Sequence, residues 1–428
     1  MDSEAGSETP PPKTGILNTL GPGLITGASD DDPSGIATYS QVGAQFGYAM
    51  AWTMPFSFPL MAAIQEISAR IGRVTGVGIA GNIRLHYPRW LLWAVIALLS
   101  IANVFNLAAD LCAMGDALRL LAGGRDHAYV VVFGVTSAAL QVFTSYRRYV
   151  SILKWTTLAL FAYVATVLVV HVPWQHVVAQ TFFPSIPLTN EAMVAVVAVL
   201  GTTISPYLFF WQSSQEAEDQ RVLPDAQPLV AAPVQARREL ARIRIDTYLG
   251  MFFSNLIGFF IILTAAATLN VNGVLDIRTS GEAAEALRPI AGSFAFVVFA
   301  AGIIGTGLLA VPVLAGSIGY AVGEALGRPV GLARLPGQAK VFYGLIAVAT
   351  IVGVGLNFSG IDPIKALYWS AVLNGIVAVP LMVVMMLMTV RPRIMGRFTL
   401  PWPLAIMGWL ATLVMTATVL GMFASLLV

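Results

Sequence analysis

Gly27-Ala28-Ser29-Asp30-Asp31-Asp32-Pro33-Ser34-Gly35 lies inside an otherwise apolar run, 15–42, that is long enough to cross a membrane. Three adjacent carboxylates are costly in lipid, and ionisable groups there mark pathways and binding sites. Pro33 removes a backbone donor and clashes with the turn before it, and the flanking glycines loosen the chain further. The stretch therefore predicts a helix broken in mid-membrane. Hydrocarbon cannot satisfy the freed amides and carbonyls, so they must line a cavity or a site. A carboxylate beside unwound carbonyls is a hard-oxygen cation site, and Asp32 is its leading ligand with Asp31 beside it. The plainer alternative is a proline kink whose acids sit at a half-helix N-terminus and face water. Whether Asp30 and Asp31 touch an ion or only attract it stays open.

Gly201-Thr202-Thr203-Ile204-Ser205-Pro206-Tyr207 repeats the pattern in the sixth apolar run. Two proline breaks at matching places predict an inverted-repeat carrier with broken helices 1 and 6. Eleven runs pass the length rule: 15–42, 47–68, 90–115, 127–144, 151–172, 190–213, 246–270, 291–318, 340–358, 364–389 and 401–427. Hydrophobic residues make up 57% of the 428 positions and charged ones 11%, too few for a water-facing surface, so lipid must cover most of the chain. The expected fold is an all-α membrane protein of 11 transmembrane helices, a 5+5 inverted repeat of the leucine-transporter type. Residues 1–14 form a disordered cytoplasmic tail, 15–172 and 190–389 the two five-helix repeats, and 401–427 an accessory helix.

With the N-terminus inside, nineteen of the 24 Lys and Arg fall in cytoplasmic loops or flanks; only Arg119, Arg125, Arg278, Arg288 and Lys365 fall outside. The odd helix count puts the C-terminus in the periplasm. The longest loop, 219–245, is expected to carry a short amphipathic helix from Arg237 to Ile245. Glu216, Glu218 and Asp219, at the inner end of the sixth span, either pair with Arg237 and Arg238 or draw cations into an inner vestibule. The sole cysteine, Cys112, reads as a small buried hydrophobe, which excludes a disulfide framework. No phosphate-binding loop and no nucleophile–base pair is present, so neither ATP-driven transport nor an enzyme is expected, and nothing suggests nucleic acid or a cofactor.

Asn103, Asn106 and Asp110 share one face of the third span, as a polar pathway or as interhelical hydrogen-bonding groups. Asn374 in the tenth span faces the same choice. Asp116 reads as an interface residue.

At these residues the chain resembles the Nramp family of divalent-metal transporters. Gly21-Pro22-Gly23 opens the first helix as in the family. Asp32-Pro33-Ser34-Gly35 stands where the family has Asp-Pro-Gly-Asn, and Ser205-Pro206-Tyr207 where it has Met-Pro-His. Gln65-Glu66-Ile67-Ser68-Ala69-Arg70-Ile71-Gly72 resembles its second helix. The resemblance implies Asp32 as carboxylate ligand, the Thr202 carbonyl as a second ligand, and Asp110 as an acid linked to proton passage. Gly35 and Ser205 stand at the positions of the family's Asn and Met ligands. Losing the soft thioether should weaken selection for transition metals, and the smaller residues should widen the pocket. These changes resemble the family's branch of Nramp-related magnesium transporters. Tyr207 and Gln212 hold the family's histidine positions, the ninth span lacks its arginine, and His86, His127, His171 and His176 lie in loops or at helix ends.

The expectation is a secondary carrier in a bacterial inner membrane, working by alternating access on hard divalent cations. Mg²⁺ comes first, with Mn²⁺ tolerated, and with little or no proton coupling. One alternative is a proton-coupled Mn²⁺/Fe²⁺ importer. A second is a carrier of a small amine or amino acid, with Asp30 to Asp32 on the ammonium and Trp211 or Tyr207 stacked on it. Oligomeric state is left open, a monomer being one expectation.

Overall fold

The structure is a computed structural model that describes residues 22–144, 156–185, 189–222, 226–360 and 362–426; every secondary-structure element among them is helical. The quoted stretch is two helices, α1 (Pro22–Asp30) and α2 (Pro33–Phe46). Pro33 opens α2, where its missing N–H costs nothing. Asp32 caps the same end, accepting from the Gly35 amide. Then come α3 (Thr53–Thr75), α4 (Ile79–His86), α5 (Arg89–Ala122), α6 (Asp126–Phe143), α7 (Phe161–Val169) and α8 (Trp174–Phe182). The second proline break separates α9 (Asn190–Thr203) from α10 (Pro206–Val222). The chain ends with α11 (Ala236–Thr268), α12 (Ala295–Ala325), α13 (Lys340–Leu356), α14 (Pro363–Thr389) and α15 (Trp402–Ser425).

Both breaks lie at the centre. The span formed by α9 and α10 is 89% buried in its most apolar window, against 28% for α6 and 33% for both α13 and α15. Glycine sets how closely the central helices approach. A Cβ on Gly27 would stand 2.4 Å from the Gly250 carbonyl of α11, and one on Gly201 would stand 2.1 Å from the Ala371 carbonyl of α14. Helix α11 thus runs along both halves of the first broken helix, while α14 packs on α9 and α2.

Among the described residues eight helices are long and apolar enough to cross a membrane, nine if a sharply bent pair is one span. Three of the eleven expected spans are not among those eight. The first is split at the break and carries three acids. The second, α3, carries Glu66, Arg70 and Arg73 in its last turns. The fifth, expected as 151–172, is helical over Thr156–Val169, and the chain then bends by 116° through Pro173 into α8. Residues 1–21 and 145–155 lie outside the described residues, so the expected N-terminal tail and the start of the fifth span do too. The separate amphipathic helix expected at 237–245 is instead the first part of α11, which runs unbroken from Ala236 because nothing in Arg237–Asp246 stops a helix.

Candidate cation site at the broken helices

Asp32 sits in the gap between α1 and α2, 1% exposed. Its two oxygens do different work. Oδ1 accepts from the Gly35 amide at 2.8 Å and from Ser34 Oγ at 2.6 Å, which ties it to the start of α2. Oδ2 accepts at longer range, from Asn106 Nδ2 at 3.2 Å and from the Tyr207 hydroxyl at 3.3 Å. The Tyr207 hydroxyl also lies 3.0 Å from the Ser29 carbonyl, and its single proton can serve only one acceptor at a time. Asn106 is held in turn by Ser370 of α14, which donates to its Oδ1 at 2.7 Å. Two elements far apart in sequence, α5 and α10, thus converge on one oxygen of the carboxylate whose other oxygen caps α2, each through a neutral group.

The second break supplies the opposite wall. Ser205 Oγ lies 2.8 Å from the Thr202 carbonyl and 2.9 Å from the Gly201 carbonyl, so its proton already has acceptors at the unwound end of α9. Gly35 faces this wall: a Cβ there would meet the Asp30 carbonyl and Thr202 Oγ1, both at 3.4 Å, and the Tyr39 ring at 3.5 Å. Gly35, Thr202 and Ser205 therefore belong to one neighbourhood with Asp32. Two polar side chains nearby are fully buried and poorly served. Neither oxygen of Asp110 has a well-formed hydrogen bond, though the Ser34 backbone lies beside it. Neither amide atom of Asn374, one turn along α14 from Ser370, has a partner. Burying such groups without partners is expensive, and polar pathways are one place where it persists.

Asp30 and Asp31 do not join Asp32. Both turn to α11, where Ser254 Oγ hydrogen-bonds Asp30 Oδ2 and lies 3.1 Å from Asp31 Oδ1. Among the described residues no group of three acid, His or Cys side chains is placed to hold a metal, because the three consecutive aspartates point to different partners. The four histidines lie at turns and helix ends. His86, the last residue of α4, is held below the usual imidazole range by burial and by Arg393 and Arg391 nearby.

Gln212, expected along the pathway, belongs to a seal at the basic end of the bundle. Gln65 Nε2 donates to Gln212 Oε1 at 2.6 Å and to the Leu208 carbonyl at 2.9 Å, and Gln212 Nε2 donates to Thr247 Oγ1 at 2.8 Å. Ser68 donates to the Phe209 carbonyl. Below these lies an ionic cluster centred on Arg242, which pairs with Glu216 at 2.5 Å and Glu239 at 3.1 Å and lies 4.0 Å from Asp246. Arg73 of α3 reaches Glu239 at 3.3 Å, and Asp246 accepts from the Gly23 amide of α1 at 2.7 Å. The partner of Glu216 is thus Arg242, not Arg237 or Arg238, which point to the exposed side of α11. Glu218 accepts instead from the Tyr320 hydroxyl and from the Leu332 and Ala333 amides. Asp116 pairs with Arg119.

Sequence reasoning passed over Ser254, Ser370 and Thr247, and named Gln65 only as part of a stretch resembling the family's second helix. None of them stands at a spacing that marks it; only the packing of α11, α14 and α3 shows what it meets.

An all-helical bundle with two proline-broken helices at its centre, and buried acids at a break, is an integral membrane protein built like a secondary transporter. The family profile described as Natural resistance-associated macrophage protein-like (Nramp) matches residues 23–425, and the chain belongs to that family. It is 25% identical over 401 residues to the divalent metal cation transporter MntH of Caldanaerobacter subterraneus subsp. tengcongensis, covering 90% of this chain and 87% of that one. Identity to MntH of Deinococcus radiodurans is also 25%, over 411 residues, with 94% and 88% covered. Among solved structures, the Eremococcus coleocola manganese transporter matches with a TM-score of 0.73 at 17% identity, over 96% of this chain and 88% of that one. MhsT in complex with L-phenylalanine matches with a TM-score of 0.53 at 12% identity, over 95% and 97%. The fold expectation is met at that level. So is the expectation that the chain is no enzyme, since its curated relatives are metal transporters.

Proposed function

We propose that the chain carries divalent metal cations by alternating access, hard ions first: Mg²⁺, with Mn²⁺ tolerated, and with little or no proton coupling. The observation that carries this reading is the setting of Asp32 Oδ2. It is buried at a helix break, loosely held, and its hydrogen-bonding partners are an amide and a phenol. A hard cation can replace those two long hydrogen bonds, with Ser205 and the Thr202 carbonyl on the facing wall. Serine in place of a thioether removes the soft ligand that favours transition metals. With the histidines all at turns and helix ends, the driving force is the membrane potential, about 2.3 kcal/mol per charge per 100 mV, or about 4.6 kcal/mol for a divalent ion. That supports roughly a thousandfold accumulation.

The reading includes a bacterial inner-membrane location, from the compact chain and the family resemblance, and an orientation with the N-terminus cytoplasmic and the C-terminus periplasmic, from the distribution of Lys and Arg. It also takes 15–172 and 190–389 as the two repeats. The sealed basic end then faces the cytoplasm. A proton-coupled Mn²⁺ carrier is the second reading. It is favoured by the names of the relatives and by Asp110, whose poorly bonded carboxylate could take up a proton.

Reconstitution in liposomes tests both. Internal dyes report Mg²⁺ and Mn²⁺ uptake with pH recorded alongside, for wild type and Asp32→Ala. The lead reading expects Mg²⁺ uptake, lost in Asp32→Ala, without acidification and with weak competition from Cd²⁺. Mn²⁺ uptake with acidification and no Mg²⁺ flux overturns it in favour of the second. A folded protein with no divalent flux overturns both.

A further inference from the structure

Asp30, Asp31 and Ser254 hold too little positive charge for their number of oxygens. Ser254 Oγ is in hydrogen-bonding contact with Asp30 Oδ2 and, at 3.1 Å, with Asp31 Oδ1, yet a hydroxyl has one proton and can donate to only one of them. Asp30 Oδ1 has no partner at all, and Asp30 is 0% and Asp31 6% exposed. Among the described residues no Lys, Arg or His pairs with either acid. Burying two carboxylates side by side without a counter-charge is strongly unfavourable.

A second observation comes from another element. The hydroxyl of Tyr39, on α2, is buried with no well-formed hydrogen bond, although Thr202 lies beside it and Asp30 and Asp31 are its leading charged neighbours. Its ring end is fixed by Gly258 of α11, where a Cβ would stand 2.8 Å from Cε2 and 3.1 Å from Cζ. Gly258 and Ser254 are four residues apart, one turn of α11 and the same face. The phenol therefore comes down on α11 one turn from the serine that holds both acids.

We infer that Asp30, Asp31, Ser254 and the Tyr39 hydroxyl form a second cation site, on the α11 side of the break and separate from the face of Asp32 that meets α5 and α10. The cation is monovalent and hard, of sodium type. Its ligands are all oxygen, and their burial requires an ion that sheds its water. Mg²⁺ dehydrates reluctantly, while a singly charged ion of similar hardness pays a much smaller desolvation cost. Unwound helices in carriers bind such ions next to their cargo. Its role as a co-ion rests on the carrier reading above; its existence does not.

The test is radioactive sodium binding to the purified full-length protein in lipid nanodiscs, with divalent uptake measured on the same preparations. Wild type should bind sodium saturably. Asp30→Asn should weaken that binding about tenfold or more, the effect of one charged ligand of about 1.4 kcal/mol. Tyr39→Phe is the sharpest variant. If the hydroxyl is merely an orphan, its removal leaves the protein as stable or more so and sodium binding untouched. If it is a ligand, sodium binding falls about threefold or more while the fold holds. Asp32→Asn should change sodium affinity less than Asp30→Asn does. A folded protein that takes up divalent ions but binds no sodium overturns the inference. So does sodium binding that is unmoved by Tyr39→Phe, or that falls as far in Asp32→Asn as in Asp30→Asn. Sodium binding without divalent uptake keeps the site and removes the carrier reading instead.

Discussion

Removing Arg242 should open the basic end of the bundle. Its guanidinium joins Glu216 of α10 to Glu239 of α11, lies 4.0 Å from Asp246, and through Glu239 and Asp246 reaches Arg73 of α3 and the Gly23 amide of α1. Four helices, α1, α3, α10 and α11, are therefore connected through one side chain. Glu216 is 0% exposed, so Arg242→Met leaves a buried carboxylate without its counter-charge; the methionine keeps most of the stem. Breaking one partner of a buried pair costs about 3–5 kcal/mol. The Arg242 side chain is 17% exposed, and water reaching it argues for the lower end, about 3 kcal/mol. That penalty falls on the closed arrangement, so the closed-to-open ratio should drop about a hundredfold at 1.4 kcal/mol per decade. The assay is thiol labelling from the basic side. Ser213→Cys in a Cys112→Ala background puts the probe on a buried residue of α10 whose hydroxyl has no hydrogen-bond partner, so the probe removes no contact. An impermeant reagent should label this cysteine about a hundredfold faster after Arg242→Met, and Glu216→Gln added to Arg242→Met should restore most of the protection. Unchanged labelling in a protein that unfolds at the wild-type temperature would refute the latch. So would a double variant as open as the single.

Gly27→Leu should lower the unfolding temperature in detergent by several degrees, since its Cβ would fall 2.4 Å from the Gly250 carbonyl and overpacking costs about 1–3 kcal/mol or more. Gly344→Leu, which meets nothing within 4 Å, should leave it unchanged or raised. Gly35→Asn with Ser205→Met should make Cd²⁺ a strong competitor of Mn²⁺ uptake, by about tenfold, because it adds an amide and a thioether at the break. Room exists at position 35, where the first contacts are at 3.4 Å, and a competition assay that shows no gain for Cd²⁺ would count against the ligand reading of both positions.

Both breaks were legible because proline and glycine write backbone geometry directly into the sequence. Asp-Pro and Ser-Pro stop one helix and start the next whatever surrounds them, and Asp32 becomes a cap by the same local logic. What each acid meets is a different matter. Ser254 sits in Met251-Phe-Phe-Ser-Asn255, a run with no sign of function, and its relation to Asp30 exists only because α11 lies against α1. The same limit misdirected the arginines. Arg237 and Arg238 look as well placed as Arg242 in the sequence, but the unbroken start of α11 turns the first two outward and leaves Arg242 over Glu216. Pro173, which follows α7 where the chain bends by 116°, is local too; hydropathy hid it, because the apolar run continues past the end of α7 to Val172, interrupted there only by His171.

Asp32 cannot change its ligands without consequence for the helix that it caps. Oδ1 holds the Gly35 amide and the Ser34 hydroxyl, and so fixes the first turn of α2, while Oδ2 is shared loosely between α5 and α10. On the proposed reading, a cation at Oδ2 would displace Asn106 and Tyr207, the side chains that join Asp32 to α5 and α10. Tyr207 lies in the first turn of α10, and five residues further that helix carries Gln212 and then Glu216, the residues that seal the basic end. Occupancy at the first break and closure at the end of the second broken helix are thus separated by about ten residues of one rigid helix, roughly 15 Å. That continuity gives the break a mechanical path to the seal.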